Sequence, residues 1–444
     1  MRRIRTLALF ALLLTPACGS TLRTQLQQSA ALGHFEEAST HYEALRGHDG
    51  EDEDLLALVA QALLVEAART GDEAVRRDAI QQLALAGTQG VEPLRHLSIE
   101  AGPSGIEALV ALSRARDRDA RRLLRGFADA RDPLVRAAAI EAFVASDASD
   151  ATRLIALCAD EEVSVRRAAC VRLGELAPNA DALEILVDRA RSDSEVRVRA
   201  AATRALGDYG EGAALALRER LADAESSVRA AALEALLRAD RDSGRQAALA
   251  LLSTPLNAVT VDAARLLMTP LHRDAPPSTE DRTRARQHLL DALVSSDPQL
   301  RGQAALALAA VGAHDDSDVE PLRPLLATEP DVGVRLSLAR VLLSRSTTRE
   351  EARHALDVLM STDHGMTGLQ AAVVLAPLGD ENAIALLQQR CLSDQASLRR
   401  VAARSLARDA MRPVDVRPLL HDAEMSVRIQ AAGGILAAAA MRAS

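Results

Sequence analysis

The sequence predicts an all-α protein, a right-handed α-α superhelix (an alpha solenoid) of about twelve helix pairs. The phrase VRAAA recurs at Val135–Ala139, Val198–Ala202 and Val228–Ala232, at intervals of about thirty residues or twice that. A repeat of this length is typical of stacked helical units. The chain is 48% hydrophobic but only 1% aromatic. Because large single cores use aromatic residues to fill volume, this composition favours many closely packed helices with thin, repeated cores.

Each repeat has an anchor position, the Arg of VRAAA or its equivalent. A small residue, almost always Ala, stands three residues after the anchor, and Leu, Ile or Phe stands seven after it. Since positions −1, +3 and +7 share one helix face, they form an apolar stripe whose small middle residue lets a neighbouring helix approach closely. The anchors are Arg76, Gly105, Arg136, Arg166, Arg199, Arg229, Thr260, Arg301, Arg335, Gly368, Arg399 and Arg428.

Turns rich in Asp precede these helices, as at Asp132, Asp193, Asp297 and Asp422. Asp is a favoured N-cap residue, so we expect it to cap the helix that follows. A second amphipathic helix then completes each unit, for example over residues 182–190.

Helix pairs with this Asp turn, Val-Arg pair and Ala/Leu stripe resemble HEAT repeats, specifically the short variety named after phycobilisome lyases. The resemblance covers about residues 70 to 440. It implies that the repeated Arg is structural and reaches either back to the Asp of its own turn or across to the adjacent repeat. The irregular anchors Gly105, Thr260 and Gly368 should interrupt this ladder. The structural residues implied are Arg76, Arg136, Arg166, Arg199, Arg229, Arg301, Arg335, Arg399 and Arg428.

The predicted domains follow from these patterns. The solenoid occupies residues 70–442, and a polar, Pro-containing loop at 269–282 accounts for its one long repeat spacing. Residues 18–69 form N-terminal helices that cap the solenoid, as repeat arrays require. Within them, residues 33–45 resemble the second helix of a tetratricopeptide hairpin, through Gly33, Phe35, Ala38, Tyr42 and Leu45.

The first seventeen residues predict a secretory signal peptide. Three Arg residues precede the apolar run from Leu7 to Leu14, which is too short to span a bilayer. The ending Leu14-Thr15-Pro16-Ala17-Cys18 resembles a bacterial lipobox, which implies that Cys18 is the lipidated first residue of the mature protein. An ordinary signal peptide is the alternative. Gly19, where Asp would signal inner-membrane retention, favours the outer membrane over the inner one, with the protein facing the periplasm.

The remaining cysteines are Cys158, Cys170 and Cys391, an odd number for an oxidising compartment. We expect them to be small buried hydrophobic residues, and a Cys158–Cys170 disulfide remains open.

No motif for a cofactor or for catalysis is present in the sequence. His34, His41 and His48 stand at intervals of seven beside the acidic run 49–54, a pattern that can bind a divalent cation. The acidic run also suits a helix N-terminus, and we expect no metal and no cofactor.

These observations favour a membrane-anchored, non-catalytic scaffold of the bacterial envelope that binds a protein partner. The alternative is an enzyme, such as a lyase-like relative, but the repeat is shared more widely than that activity. The net charge of −9 opposes a nucleic-acid partner, and the scarcity of aromatic residues opposes a small-molecule substrate.

The partner surface predicted from the sequence is the row of second helices, which line the concave face in solenoids of this kind. Their Arg residues would form a positively charged track for a carboxylate-rich segment. The candidates are Arg121, Arg122, Arg125, Arg218, Arg286, Arg323 and Arg390.

Overall fold

The structure is a computed structural model that describes residues 15–100, 102–140, 142–143, 148–175, 177–269, 278–311 and 320–443. All regular secondary structure within these ranges is helical. The predicted all-α class is therefore confirmed. The chain divides into two compact units, of which the first combines residues up to Ala120 with those from Met360 onward and the second runs from Arg121 to Leu359.

The helices of the first unit come from both ends of the chain, and α7 and α21 cross the unit boundaries. They are α1 (Thr15–Leu32), α2 (Phe35–Asp49), α3 (Glu53–Thr70), α4 (Glu73–Leu85), α5 (Thr88–Ser98), α6 (Pro103–Arg114) and α7 (Arg118–Arg125). From α21 (Arg349–Thr362) onward they are α22 (Met366–Leu375), α23 (Glu381–Arg390), α24 (Ala396–Arg404) and α25 (Met425–Ala443). Short 3₁₀ segments at Ala376–Leu378 and Pro413–His421 and a π turn at Ser405–Asp409 complete this unit.

The second unit contains the central helix pairs. They are α8 (Pro133–Ile140), α9 (Ala148–Leu157), α10 (Val163–Gly174), α11 (Ala180–Ser192), α12 (Val196–Leu206), α13 (Ala214–Arg220), α14 (Ser226–Ala239), α15 (Arg241–Leu251), α16 (Ala258–Met268), α17 (Thr279–Leu293), α18 (Pro298–Val311), α19 (Leu322–Thr328) and α20 (Val332–Leu343). A 3₁₀ segment, Gly207–Ala213, joins α12 to α13. Most of the loop predicted at 269–282 lies outside the described residues, and α17 begins at Thr279, inside the predicted loop.

The repeat register read from the sequence is confirmed. All twelve anchors fall on first helices, and every residue three or seven positions after an anchor is buried. Ala202, for example, is fully buried in α12, which packs against α10 on one side and α14 on the other. Small residues at this level allow successive first helices to pack closely, as the stripe predicts.

The N-terminal helices α1, α2 and α3 pack against one another. Gly33 adopts a φ of 71° and joins α1 to α2, a conformation that suits glycine. Phe35, Ala38, Tyr42 and Leu45 of α2 are all buried. The acidic run follows α2, and its Asp52 accepts hydrogen bonds from the amides of Asp54 and Leu55. The helix-terminus interpretation of this run is therefore correct.

The C-terminal helix α25 packs on the N-terminal helices within the first unit. Its main partners include α3 and α4. Gln430 donates to Asp78 of α4 at 3.1 Å, and Arg442 contacts Glu53 of α3 at 2.7 Å. Helix α3 has eleven buried residues because α1, α2, α4 and α25 all lie against it. Nothing in the repeat pattern predicted this pairing of the two ends of the chain.

The packing of α12 predicts the cost of a larger residue at its centre. Ala202→Leu should lower the free energy of unfolding by about 1–3 kcal/mol, because the new side chain has no space between α10 and α14. The same change at the exposed Ala250 of α15 should alter it by less than about 0.5 kcal/mol. Urea unfolding monitored by circular dichroism measures both. Equal losses for the two variants would contradict the assigned register.

Candidate functional site: the repeat ladder and the surfaces beside it

Arg residues at the anchor positions link each repeat to the next. In Arg166, Nη1 donates to the backbone oxygens of Asp160 and Glu161, both at 2.9 Å, in its own turn. Its Nε and Nη2 donate to the two carboxylate oxygens of Asp193, at 2.9 and 3.2 Å, in the turn of the following repeat. Of the two alternatives implied by the sequence, the structure thus shows both: the Arg contacts the carbonyl of its own Asp and the carboxylate of the next.

The same arrangement recurs along the chain. Each pair joins a guanidinium to the acid of the next repeat, and the side chains are at most 15% exposed. The pairs are Arg136–Asp160, Arg166–Asp193, Arg199–Asp223, Arg301–Glu329 and Arg399–Asp422. We call this set the repeat ladder. Arg428 of the last repeat donates to the backbone oxygen of Asp422.

The Asp residues of the ladder do not cap their helices in the way that the sequence predicted. In α12 the N-cap residue is Glu195, whose side chain makes no capping hydrogen bond. Asp193 lies two residues earlier and accepts a hydrogen bond from the Glu195 amide at 3.0 Å. Its carboxylate is thereby held in the turn, where it meets Arg166 of the preceding repeat. At Asp132 and Asp297 the acid directly precedes the helix, as expected.

Ionic contacts keep these carboxylates charged despite burial. Burial by itself raises the pKa of Asp193, but hydrogen bonds from Arg166 and from the Glu195 amide, together with the charges of Arg166 and Arg189, outweigh it. The pKa of Asp193 therefore lies below its ordinary value. In Asp422 the hydrogen bond from Arg399 is the largest influence, and it likewise lowers the pKa.

The ladder is interrupted next to the irregular anchors. Arg229, one repeat before Thr260, donates to the backbone oxygens of Asp223 and Ala224 and pairs with no acid in the described residues. Thr260 instead forms a hydrogen bond with His288 at 2.8 Å. Burial lowers the pKa of this His, which favours its neutral form.

Beside the glycine anchors, other contacts likewise replace the usual pair of an Arg with the acid in the next turn. Arg76, before Gly105, contacts Glu107 within α6, the next first helix, at 3.3 Å. Among the described residues, Arg335, before Gly368, has only a long contact, from its Nη2 to the backbone oxygen of Pro330 at 3.5 Å.

The second-helix Arg residues predicted to bind a partner are largely engaged within the protein. Arg125 pairs with Asp150 at 2.6 Å, Arg218 contacts Asp240 at 3.4 Å, and Arg323 pairs with Glu351 and Glu320. Arg121, Arg122 and Arg286 also have interaction partners. The Nε of Arg390 is buried and has no hydrogen-bond partner within the described part of the chain. These side chains therefore do not form a continuous track of uncompensated positive charge.

Two grooves lie instead on the first helices of the second unit. One, with a volume of about 420 Å³, lies over α12 between α10 and α14. The other, of about 560 Å³, lies over α16 between α14 and α18. Ser227 of α14 lines both, so the two grooves adjoin.

The sequence reasoning missed the Arg residues of the first groove, Arg167, Arg197 and Arg204. A signal was present, because neither α10 nor α12 contains an acidic residue. The anchor Arg of each repeat was interpreted from the sequence as structural. The further Arg residues on the outer faces of the same helices were not considered.

The cysteines are buried thiols. The sulfur atoms of Cys158 and Cys170 lie 3.7 Å apart, and Cys158, Cys170 and Cys391 are all free. The hydrogen bond with Cys170, followed by burial, raises the pKa of Cys158, and burial raises the pKa of Cys391 to about 12. Both effects disfavour the reactive thiolate.

Most of the predicted signal peptide, residues 1–14, lies outside the described residues. Cys18 belongs to α1, near the start of the described chain. In the described ranges, no helix combines the length and the apolar character needed to cross a membrane. Nor do these ranges bring three potential metal ligands together, so His34, His41 and His48 form no such group there.

Comparison with known proteins supports the repeat assignment. A family model described as HEAT repeats matches residues 151–237, from α9 into α14. The predicted solenoid fold is confirmed by this match together with the helix pairs. No curated protein sequence matches the chain.

Several solved structures are similar to the chain at low identity. Kap121p is 14% identical, with a TM-score of 0.40, over 86% of this chain and 54% of its own. Yeast importin-β (Kap95p) is 14% identical, with a TM-score of 0.36, over 85% of this chain and 57% of its own. The CpcE–CpcF complex of phycocyanin lyase from Nostoc sp. PCC7120 is 19% identical, with a TM-score of 0.29, over 60% of this chain and 93% of its own. This chain therefore spans about half the length of Kap121p and of Kap95p, and these similarities carry no functional argument.

The ladder predicts a specific loss of stability in acid. Because the pKa of Asp193 is lowered in the folded state, its contribution is fully present above the pKa of an unfolded Asp, about 3.9. That contribution is lost as the pH falls through the lower folded value. Asp193→Asn should lower the free energy of unfolding at pH 7 by about 3 kcal/mol, because it leaves Arg166 without its counter-charge. It should also flatten the dependence of stability on pH below about 4.

Urea unfolding between pH 7 and pH 2.5 measures both effects. Asp181→Asn is the matched control, since Asp181 is exposed on α11 and forms no ion pair within the described ranges. A variant at Asp193 that keeps the parent's full acid dependence would show that this pair does not link the repeats.

Proposed function

We propose that this protein is a lipid-anchored, non-catalytic scaffold of the bacterial cell envelope that binds a protein partner through its helical repeats. The observation that carries the proposal is the stack of HEAT-like helix pairs with two adjoining grooves on the first helices of the second unit. Repeat stacks of this kind present extended surfaces suited to other proteins.

The positions of the carboxylates with a lowered pKa support a structural role for these groups rather than a catalytic one. Carboxylates with a lowered pKa, such as Asp160, Asp193, Asp223 and Asp422, serve the repeat ladder. Ionisable groups with a shifted pKa are a common sign of an active site, but structural ion-pair networks shift pKa values in the same way. Here each of the four acids already has an Arg of the ladder as its partner.

The N-terminal sequence supports the membrane anchor and the location. The basic start, the apolar run of eight residues and the lipobox-like ending at Cys18 fit a bacterial lipoprotein. Lipidation at Cys18 would place α1 and the first unit next to the membrane surface. Gly19 favours the outer membrane, with the repeats facing the periplasm.

The anchor is tested by replacing its nucleophile. We expect Cys18→Ser to abolish incorporation of a radiolabelled or alkyne-labelled fatty acid and to leave an unprocessed precursor, because the Ser hydroxyl cannot form the thioether. Labelling in a bacterial host, followed by gel analysis, measures both. Cys391→Ser, at a buried cysteine, is the control and should be labelled like the parent. Equal labelling of the Cys18→Ser protein would exclude the lipoprotein assignment.

The scaffold role is tested by purification of the tagged full-length protein from detergent-solubilised envelope. We expect a specific protein to co-purify in a fixed ratio and to remain bound through a wash at moderate salt. A tagged, unrelated lipoprotein handled in parallel defines the background. Recovery of the chain alone, as judged by native mass measurement, would contradict the proposal.

A further inference from the structure

The groove over α12 has a basic rim and a small-residue floor. Ala200, Ala201 and Ala205 line the floor, each with 5% exposure, and their small side chains allow a ligand to lie close to the α12 backbone. Arg167, from α10, and Arg197 and Arg204, from α12, line the groove with exposed side chains.

These three side chains differ from the other Arg residues described above. None of the three forms an ion pair or a side-chain hydrogen bond with any described residue, whereas Arg238 on the same groove is paired with Asp208 at 2.6 Å. Asp208, the one acid among the described residues that line this groove, is therefore neutralised, and three guanidinium groups remain for an external ligand. Carboxylates match a guanidinium in charge and in geometry.

The adjoining groove over α16 is mostly apolar. Leu306 of α18 is 53% exposed there, and the largely buried side chains of Val259, Val261 and Ala307 also line it. Its two charged residues, Asp262 and Arg265, pair with each other at 2.7 Å. This groove therefore suits aliphatic side chains rather than charged ones.

We infer that the two grooves together bind one segment of a partner protein, with acidic residues over α12 and aliphatic residues over α16. Five first helices, α10 to α18, separated by about 8–10 Å each, span roughly 32–40 Å. An extended segment of about ten to twelve residues covers this distance. The apolar groove and the net charge of −9 argue against a polyanion such as nucleic acid as the ligand.

This inference rests on the proposed scaffold function, and it places the binding surface on the first helices rather than on the second helices favoured from the sequence. It is compatible with the internal contacts that most of the second-helix Arg residues make. The partner is defined by its chemistry, an acidic stretch continued by an aliphatic one.

The test uses the detergent-solubilised full-length protein and fluorescein-labelled probe peptides, read by fluorescence anisotropy. The probes are EEDESELAVLAG and its reverse GALVALESEDEE, since either chain direction fits the grooves. The amide analogue QQNQSQLAVLAG tests the requirement for carboxylates. We expect at least one acidic probe to bind, and the analogue to bind at least about tenfold more weakly, because three charge-assisted contacts are lost.

The variant Arg167→Glu/Arg197→Glu/Arg204→Glu should weaken binding of the acidic probe by at least about tenfold. The matched control is Arg191→Glu/Arg284→Glu/Arg349→Glu. It reverses three exposed Arg residues on α11, α17 and α21 that have no ion pair within the described ranges, and it changes the net charge equally. It should alter the affinity by less than about twofold. Thermal melts like the parent's establish that both variants are folded.

Three results of the binding measurements would overturn the inference. They are no binding of either acidic probe, equal weakening by both triple variants, and equally tight binding of a twelve-nucleotide single-stranded DNA that the first triple variant abolishes. Self-association of the parent, lost in the first variant, would also overturn it, because the grooves would then hold a second copy. None of these results bears on whether a partner co-purifies from the envelope, so failure here is distinguishable from failure of the scaffold role.

Discussion

The ladder of Arg and acidic residues is the interaction on which the rest of the structure depends. A helix pair with a core of Ala and Leu buries little apolar surface by itself, so its orientation must be fixed against its neighbours. Each ladder Arg does this with one planar group, which holds the carbonyls of its own turn and the carboxylate of the next. Lys could not do the same, because it lacks the fork of donors that engages two sites at once.

The sequence predicted well whatever depends on residues close to each other in the chain. The stripe of Ala202 and Leu206 lies within two turns of one helix, and its periodicity alone predicted which residues are buried. The acid that pairs with Arg166 was not predictable in this way. Asp160 and Asp193 both lie in suitable turns, and only the stacking of repeats decides which carboxylate reaches the guanidinium.

The same limitation explains why the sequence predicted a positively charged track along the second helices. Acids such as Asp150 and Glu351 stand on neighbouring helices, more than twenty residues after their Arg partners. Local charge patterns do not reveal such pairs, because i to i+4 neighbours are the only ones visible along a single helix. In the groove over α12, uncompensated charge lies at Arg167, Arg197 and Arg204, because α10 and α12 themselves contain no acidic residue.

The pairing of α25 with α3 also has a consequence for how the chain acquires its structure. The two helices are separated by more than 350 residues, so their contact closes a very long loop. The second unit is continuous in sequence, and its helices pack on neighbours that lie close to them in the chain, an arrangement that favours rapid folding. In the first unit, α3 keeps part of its apolar surface uncovered until α25 has been synthesised. We therefore expect the second unit to fold before the first, whose assembly requires helices from both sides of the second in the sequence.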